Sequence, residues 1–273
     1  MTVYLASAPM DQWLSETLQF GFRWIHVIAG VLWIGILWFF NWVNGAFTAT
    51  LDGDTKKKVV PELMPRALFW FRWGAAYTWI TGVLLLGLLY YMGGGNLLDP
   101  MNERSGAQPE LMEWLPAFLG LFVGFVVYDQ LFKTLGKNSH EAAVVVWGVL
   151  AVGFACVLDF VLDYSGRATL IHVGALFGTS MAANVWMRIW PAQKRIITAI
   201  KNGQAPDPAD PALAGLRSKH NTYMSVPLLL FMVSVHQTYF IGLDPHWVVL
   251  VTLVLGFGIT WGIYKKVPSV KGF

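Results

Sequence analysis

The chain has 273 residues, 56% of them hydrophobic and 15% aromatic but only 13% charged, with a mean hydropathy of +0.52. Soluble domains carry about a quarter charged residues, so this composition excludes an ordinary soluble enzyme, a disordered tail and a nucleic-acid binder. The single cysteine, Cys156, excludes a disulfide framework, a CxxC site and a CxxCH haem attachment on this chain, and the net charge of +3 takes its meaning from where the charges lie.

A helix needs about 20 mainly apolar residues to cross the hydrocarbon. In chain order, stretches at about 18–44, 67–92, 112–132, 141–160, 168–189, 219–241 and 246–264 meet that need. They are continuous apolar runs rather than the alternating segments of a barrel. The expected fold is therefore an all-α integral membrane protein, a bundle of about seven transmembrane helices forming one domain over residues 1–273. The first stretch is too long and too rich in Trp for a cleaved signal peptide, and it lacks a basic leader. Most connections are short and carry turn residues, such as GLDP at 242–245. The segment from Pro191 to Lys219, with its APDPADPALAG run, reads as an exposed loop.

Charge orients the bundle. Alternate connections place Lys56, Lys57, Lys58, Lys133, Lys137, Lys194 and Arg195 on one side, with Lys201, Lys219, Lys265 and Lys266. The other side holds Arg104 and Arg167. The positive-inside rule then puts the N-terminus outside and the C-terminus in the cytoplasm.

Ionisable groups inside hydrocarbon cost several kcal/mol unless they are paired, coordinated or wet, so they mark candidate sites. At 1.5 Å per residue, His26, His172 and His236 lie roughly 12, 6 and 7 Å below the outer boundary. Imidazoles from facing helices at similar depth suit a b-type haem, whose iron two of the three would ligate. Gly30 follows His26 by one turn and would clear space for a flat macrocycle. Arg23 lies three residues before His26, where it could pair haem propionates, and Trp33 could pack the porphyrin. Each has a plainer use: a histidine bonding a neighbouring helix, a glycine or tryptophan packing the core.

Toward the inner side, Arg72 either snorkels to the surface or joins an anion site with Asn184, His220 and His140 or Tyr223. Tyr223 shares a helical face with His220. A neutral His220 suits the part of catalytic proton acceptor by its ordinary pKa. His140 and His220 could instead hold a second haem. Asp129 reads as a solvated or Lys-paired end charge.

Four segments carry a resemblance: FRWIHVIAGVLWIGILWFFNWVN, PRALFWFRWGAAYTWITGVLLL, IHVGALFGTSMAANVWMRIWPAQK and RSKHNTYMSVPLLLFMVSVHQTYF. They resemble the membrane domain of the bacterial urate hydroxylases, the membrane-bound, cytochrome-c-linked urate oxidase family. The resemblance implies a multi-pass protein of the bacterial inner membrane that oxidises urate to 5-hydroxyisourate and passes electrons to cytochrome c. Longer members of that family carry one more span and then a cytochrome c domain with CxxCH. This chain has no such motif, so a truncated or split member with a separate external cytochrome c is expected. On that expectation Arg72, Asn184 and Tyr223 bind a purine-like anion and His220 acts in catalysis. Two other functions stay open: a non-catalytic haem-bearing subunit of a respiratory assembly, and a transporter or metal-handling protein. Either the bilayer alone, a homo-oligomer or a larger respiratory assembly would house the chain.

Overall fold

The computed structural model describes residues 12–93 and 96–270. Among these the chain forms seven long helices: α1 (Gln12–Ala49), α2 (Gly53–Tyr91), α3 (Leu111–Asn138), α4 (His140–Val161), α5 (Gly166–Lys201), α6 (Ala209–Ser234) and α7 (Pro245–Ser269). The all-helical class expected from the sequence is the class found. Among the described residues no strand forms, and an isolated bridge between Leu98 and Tyr164 ties the α2–α3 connection to the α4–α5 turn.

The helix starts have local causes. Asp52 accepts from the backbone amides of Asp54 and Thr55 at the head of α2. Ser139 does the same for α4 through Ala142, and Ser165 for α5 through Ala168. Such side-chain oxygens satisfy amides that have no partner inside the helix.

The count differs from the seven spans expected. Six helices are long and apolar enough to cross a membrane, and α6 is not among them. Its first half carries Arg217, Lys219, His220 and Asn221, and all but Lys219 are buried. The polar residues that lower its hydropathy are the ones it brings into the bundle.

Two boundaries also move. The segment expected as a loop from Pro191 is largely helical, because α5 runs on to Lys201 and α6 starts at Ala209. Ala192 and Ile196 pack there against Ala214, and Arg195 pairs with Asp210. At its other end α6 stops at Ser234, so His236 falls in a turn rather than inside a span.

Helix α5 is the axis of the bundle. Of its most apolar window 78% is buried, against 17–33% in the other five candidate spans, whose outer faces are left for lipid. It packs against α2, α3, α4, α6 and α7. Helices α1 and α2 lie together along their length, and close approach at Gly74 makes this possible. A Cβ at Gly74 would sit 3.2 Å from the Trp33 amide nitrogen and 3.3 Å from the Ala29 carbonyl oxygen. Small residues allow this backbone contact where lipid-like packing gives little other drive for association.

Four helices contain a π-helical turn: Phe39–Asn44 in α1, Gly87–Tyr91 in α2, Val157–Val161 in α4 and Val185–Ile189 in α5. Such turns are rare and recur at functional sites. The one in α2 carries Tyr90 and Tyr91, and the one in α5 begins directly after Asn184.

Candidate functional site

At the end of the bundle poor in lysine, His172 is fully buried on α5. Its Nδ1 lies 2.6 Å from the Ala168 carbonyl oxygen and its Nε2 lies 2.8 Å from the Tyr91 hydroxyl. A carbonyl can only accept, so Nδ1 carries the proton and Nε2 accepts from Tyr91. The rings of Tyr90, Tyr91 and Tyr164 close around the imidazole. His26 on α1 is half-buried, with Nδ1 3.2 Å from the Thr81 hydroxyl on α2. His236 is exposed. Arg23 is exposed too, a Cβ added at Gly30 would meet the Thr78 side chain at 3.8 Å, and Trp33 is buried in the core.

An axial haem ligand has to offer a free ring nitrogen, and both nitrogens of His172 already have protein partners. The space beside Gly174 is filled from α6, where an added Cβ would meet Met232 Cε at 2.9 Å and Phe231 Cβ at 3.1 Å. His26, His172 and His236 therefore do not form a two-histidine haem cradle.

The lysine-rich end is different, because polar side chains from three helices meet there inside the core. Asp129 of α3 is buried and accepts from three cations. Arg188 of α5 approaches with Nε at 3.0 Å and Nη2 at 2.6 Å, Arg217 of α6 with Nη2 at 2.9 Å, and Lys133 with Nζ at 2.7 Å. The neighbouring Tyr128 is buried with its hydroxyl 2.8 Å from His220 Nδ1. Asn184 Nδ2 of α5 donates to that hydroxyl at 2.9 Å and to Asn221 Oδ1 of α6, also at 2.9 Å. Asn221 in turn donates to the Met181 carbonyl oxygen at 2.9 Å.

Several atoms of this cluster are buried without a protein partner: Arg217 Nε and Nη1, His220 Nε2, Asn184 Oδ1 and, on the same face of α5, Ser180 Oγ. Buried polar groups are nearly always satisfied, so converging unsatisfied ones call for a ligand or water. The cluster thus holds unpaired guanidinium donors, an imidazole nitrogen and an amide oxygen within one buried polar network.

A family comparison bears on this cluster. The family model for the urate oxidase N-terminal region matches residues 53–264. The chain belongs to the urate oxidase N-terminal family. No curated protein and no solved structure matches it. The urate oxidase match takes in every residue of the lysine-rich-end cluster, and it leaves His26, Arg23, Gly30 and Trp33 of α1 outside.

Of the inner residues proposed from the sequence, the fold brings Asn184 and His220 together through Tyr128. His140 joins them by stacking on His220, with ring centroids 5.1 Å apart and planes at 27°. Stacked faces do not aim two nitrogens at one metal, so this pair does not fit as a haem cradle either. Arg72 stands apart, its guanidinium 4.0 Å from the centre of the Trp190 ring and near Trp186 and Phe69. Tyr223 stacks on Tyr264 on the α7 side of α6, at 5.6 Å and 12°. Sequence reasoning did not single out Tyr128, Arg217 and Asn221, and it read Asp129 as an end charge. One signal was present: Arg217 and His220 are three apart on one helical face, which brings a span-end arginine to the same side as a buried histidine.

Proposed function

We propose that the protein is a membrane-bound oxidoreductase that binds urate as its anion in the lysine-rich-end cluster and oxidises it to 5-hydroxyisourate. The observation that carries this reading is a buried polar network in which Arg217 Nε and Nη1, His220 Nε2 and Asn184 Oδ1 all lack a hydrogen-bond partner among the described residues. The urate anion is flat and alternates carbonyl and N–H groups along its edges. A guanidinium donates charge-assisted hydrogen bonds to carbonyl oxygens of an anion, and an amide oxygen takes an N–H. Three cations around the single carboxylate of Asp129 leave a positive balance, which favours an anion strongly in a site shielded from water.

Urate anion and a water give 5-hydroxyisourate, one proton and two electrons. The electrons pass singly to a c-type cytochrome on another chain, and because that acceptor is external while the urate site lies at the lysine-rich end, an electron carrier outside this cluster takes them across the bundle. The lysine-rich end faces the cytoplasm of a bacterial inner membrane, in keeping with the positive-inside rule.

The test uses the full chain in detergent or native membranes, mixed anaerobically with urate and oxidised cytochrome c. The expected result is loss of urate with two cytochromes reduced for each, abolished in Arg217→Ala. Urate binding without cytochrome reduction overturns the oxidoreductase and favours a carrier or a non-catalytic subunit. Absence of urate binding overturns the substrate.

A further inference from the structure

We infer that Asn221 is a positioning residue that acts through Asn184 and Tyr128 to hold His220 as a hydrogen-bond donor at Nε2. The relay starts at the Met181 carbonyl oxygen of α5, which can only accept. Its donor is Asn221 Nδ2 at 2.9 Å, and this fixes which way the Asn221 amide points. Asn221 Oδ1 is then an acceptor, and the group facing it at 2.9 Å has to be the Asn184 amine. The second proton of that amine goes to the Tyr128 oxygen at 2.9 Å. Tyr128 has its own proton left to give, and among the described residues the acceptor within reach is His220 Nδ1 at 2.8 Å. A neutral imidazole that accepts at Nδ1 carries its proton on Nε2.

The chain of bonds closes on itself through three helices. Adjacent residues of a helix cannot share a face, so Asn221 reaches α5 while His220 reaches α3. Asn184 and Tyr128 link the two across the gap. A single backbone carbonyl thereby sets the proton position on an imidazole three side chains away.

Recognition follows from that placement. The free Nε2–H of His220 and the free Nε–H and Nη1–H of Arg217 are donors, and Asn184 Oδ1 is the free acceptor. His220 meets its ligand at an acceptor, and does not take a proton at Nε2. On the reading of the cluster as a urate site, this selects a heterocyclic anion in its keto form and rejects enol tautomers and amino-purines at that position.

The experiment is nitrogen NMR on the full chain in detergent, ¹⁵N-labelled at histidine, with the His220 signals identified by their loss in His220→Gln. The expected result at neutral pH without urate is a neutral ring protonated at Nε2. Asn221→Leu frees the Asn184 amide to turn its oxygen toward Tyr128, so the proton of His220 shifts measurably to Nδ1. Tyr128→Phe removes the donor to Nδ1 and gives a mixture, and it decides the matter if Asn221→Leu does not fold. A wild-type ring protonated at Nδ1 or at both nitrogens overturns the inference. So does an unchanged proton position in either folded variant. Urate turnover is scored separately: its failure with the Nε2–H form intact sinks the urate reading and leaves the positioning role standing.

Discussion

Arg217 donates to Asp129 through Nη2 at 2.9 Å, its guanidinium lies 5.2 Å from the centre of the Tyr128 ring, and among the described residues Nε and Nη1 find no hydrogen-bond acceptor. The carboxylate and the Tyr128 ring together hold the guanidinium within the cluster. Asp129 also compensates Arg188 and Lys133, so one anion serves three cations. Asp129→Asn strands the buried Arg217 guanidinium without its carboxylate, while Arg188 and Lys133 keep partial access to solvent. Breaking a buried ion pair from one side destabilises by roughly 3–5 kcal/mol, so a much lower unfolding midpoint in detergent is expected, with weaker urate binding in the fraction that stays folded. A variant that melts like wild type and binds urate equally well removes Asp129 from this role.

Arg217→Lys separates charge from geometry. A lysine keeps the positive charge but lacks the planar set of donors of a guanidinium. Hydrogen bonds to charged groups contribute about 1.5–3 kcal/mol, so kcat/KM for urate is expected to fall ~10- to 100-fold while the protein stays folded. Arg72→Lys is the control, because Arg72 packs on Trp190 away from the cluster. Equal losses in both variants, in steady-state assays, would refute the assignment of the substrate contact to Arg217.

The legibility of this protein follows how far each signal reaches along the chain. Helix class needed only apolar runs of spanning length, and these are visible in any window of sequence. The end of α5 was misread because Pro191 and the downstream Pro-Asp run look like a loop. Pro191 instead follows the π-helical turn Val185–Ile189 inside α5, and the Met187 carbonyl that its missing amide cannot reach accepts from Arg188 Nη1 at 2.9 Å. Asn184 and His220 stood out as polar residues in apolar surroundings. Tyr128 and Asn221 did not, because a tyrosine or a span-end asparagine is unremarkable until its partners are known. Those partners lie 56, 92 and 37 residues apart in Asn184–Tyr128, Tyr128–His220 and Asn184–Asn221. A site assembled from such long-range pairs is set by tertiary packing.

Tyr91 and His172 form the matching test at the far end. Tyr91→Phe leaves His172 Nε2 buried beside an apolar ring with no donor. An unsatisfied buried acceptor costs about 1–3 kcal/mol, so the unfolding midpoint should drop. Urate kinetics should stay at wild-type values, since no residue of the lysine-rich-end cluster is touched. A kinetic defect without a stability defect would move chemistry to the far end.

Asp52 supplies a prediction in pH. It lies in the turn between α1 and α2, accepting from the Thr55 hydroxyl at 2.6 Å and from the amides of Thr55 and Asp54 at 2.9 Å each. The Thr55 hydroxyl, followed by the Thr55 amide, holds the carboxyl below the usual carboxylate range. A carboxyl whose pKa is lower in the folded state stabilises the fold fully above the unfolded value of about 3.9, and that contribution fades as pH falls through the folded value. Asparagine caps a helix about as well as aspartate but does not titrate. Asp52→Asn is therefore expected to match wild type closely at neutral pH in thermal melts and to lose less stability on acidification below about pH 4. Asp52→Ala, which cannot cap, should melt lower across the whole range. Parallel acid profiles for wild type and Asp52→Asn would show that the acid response arises from other carboxylates.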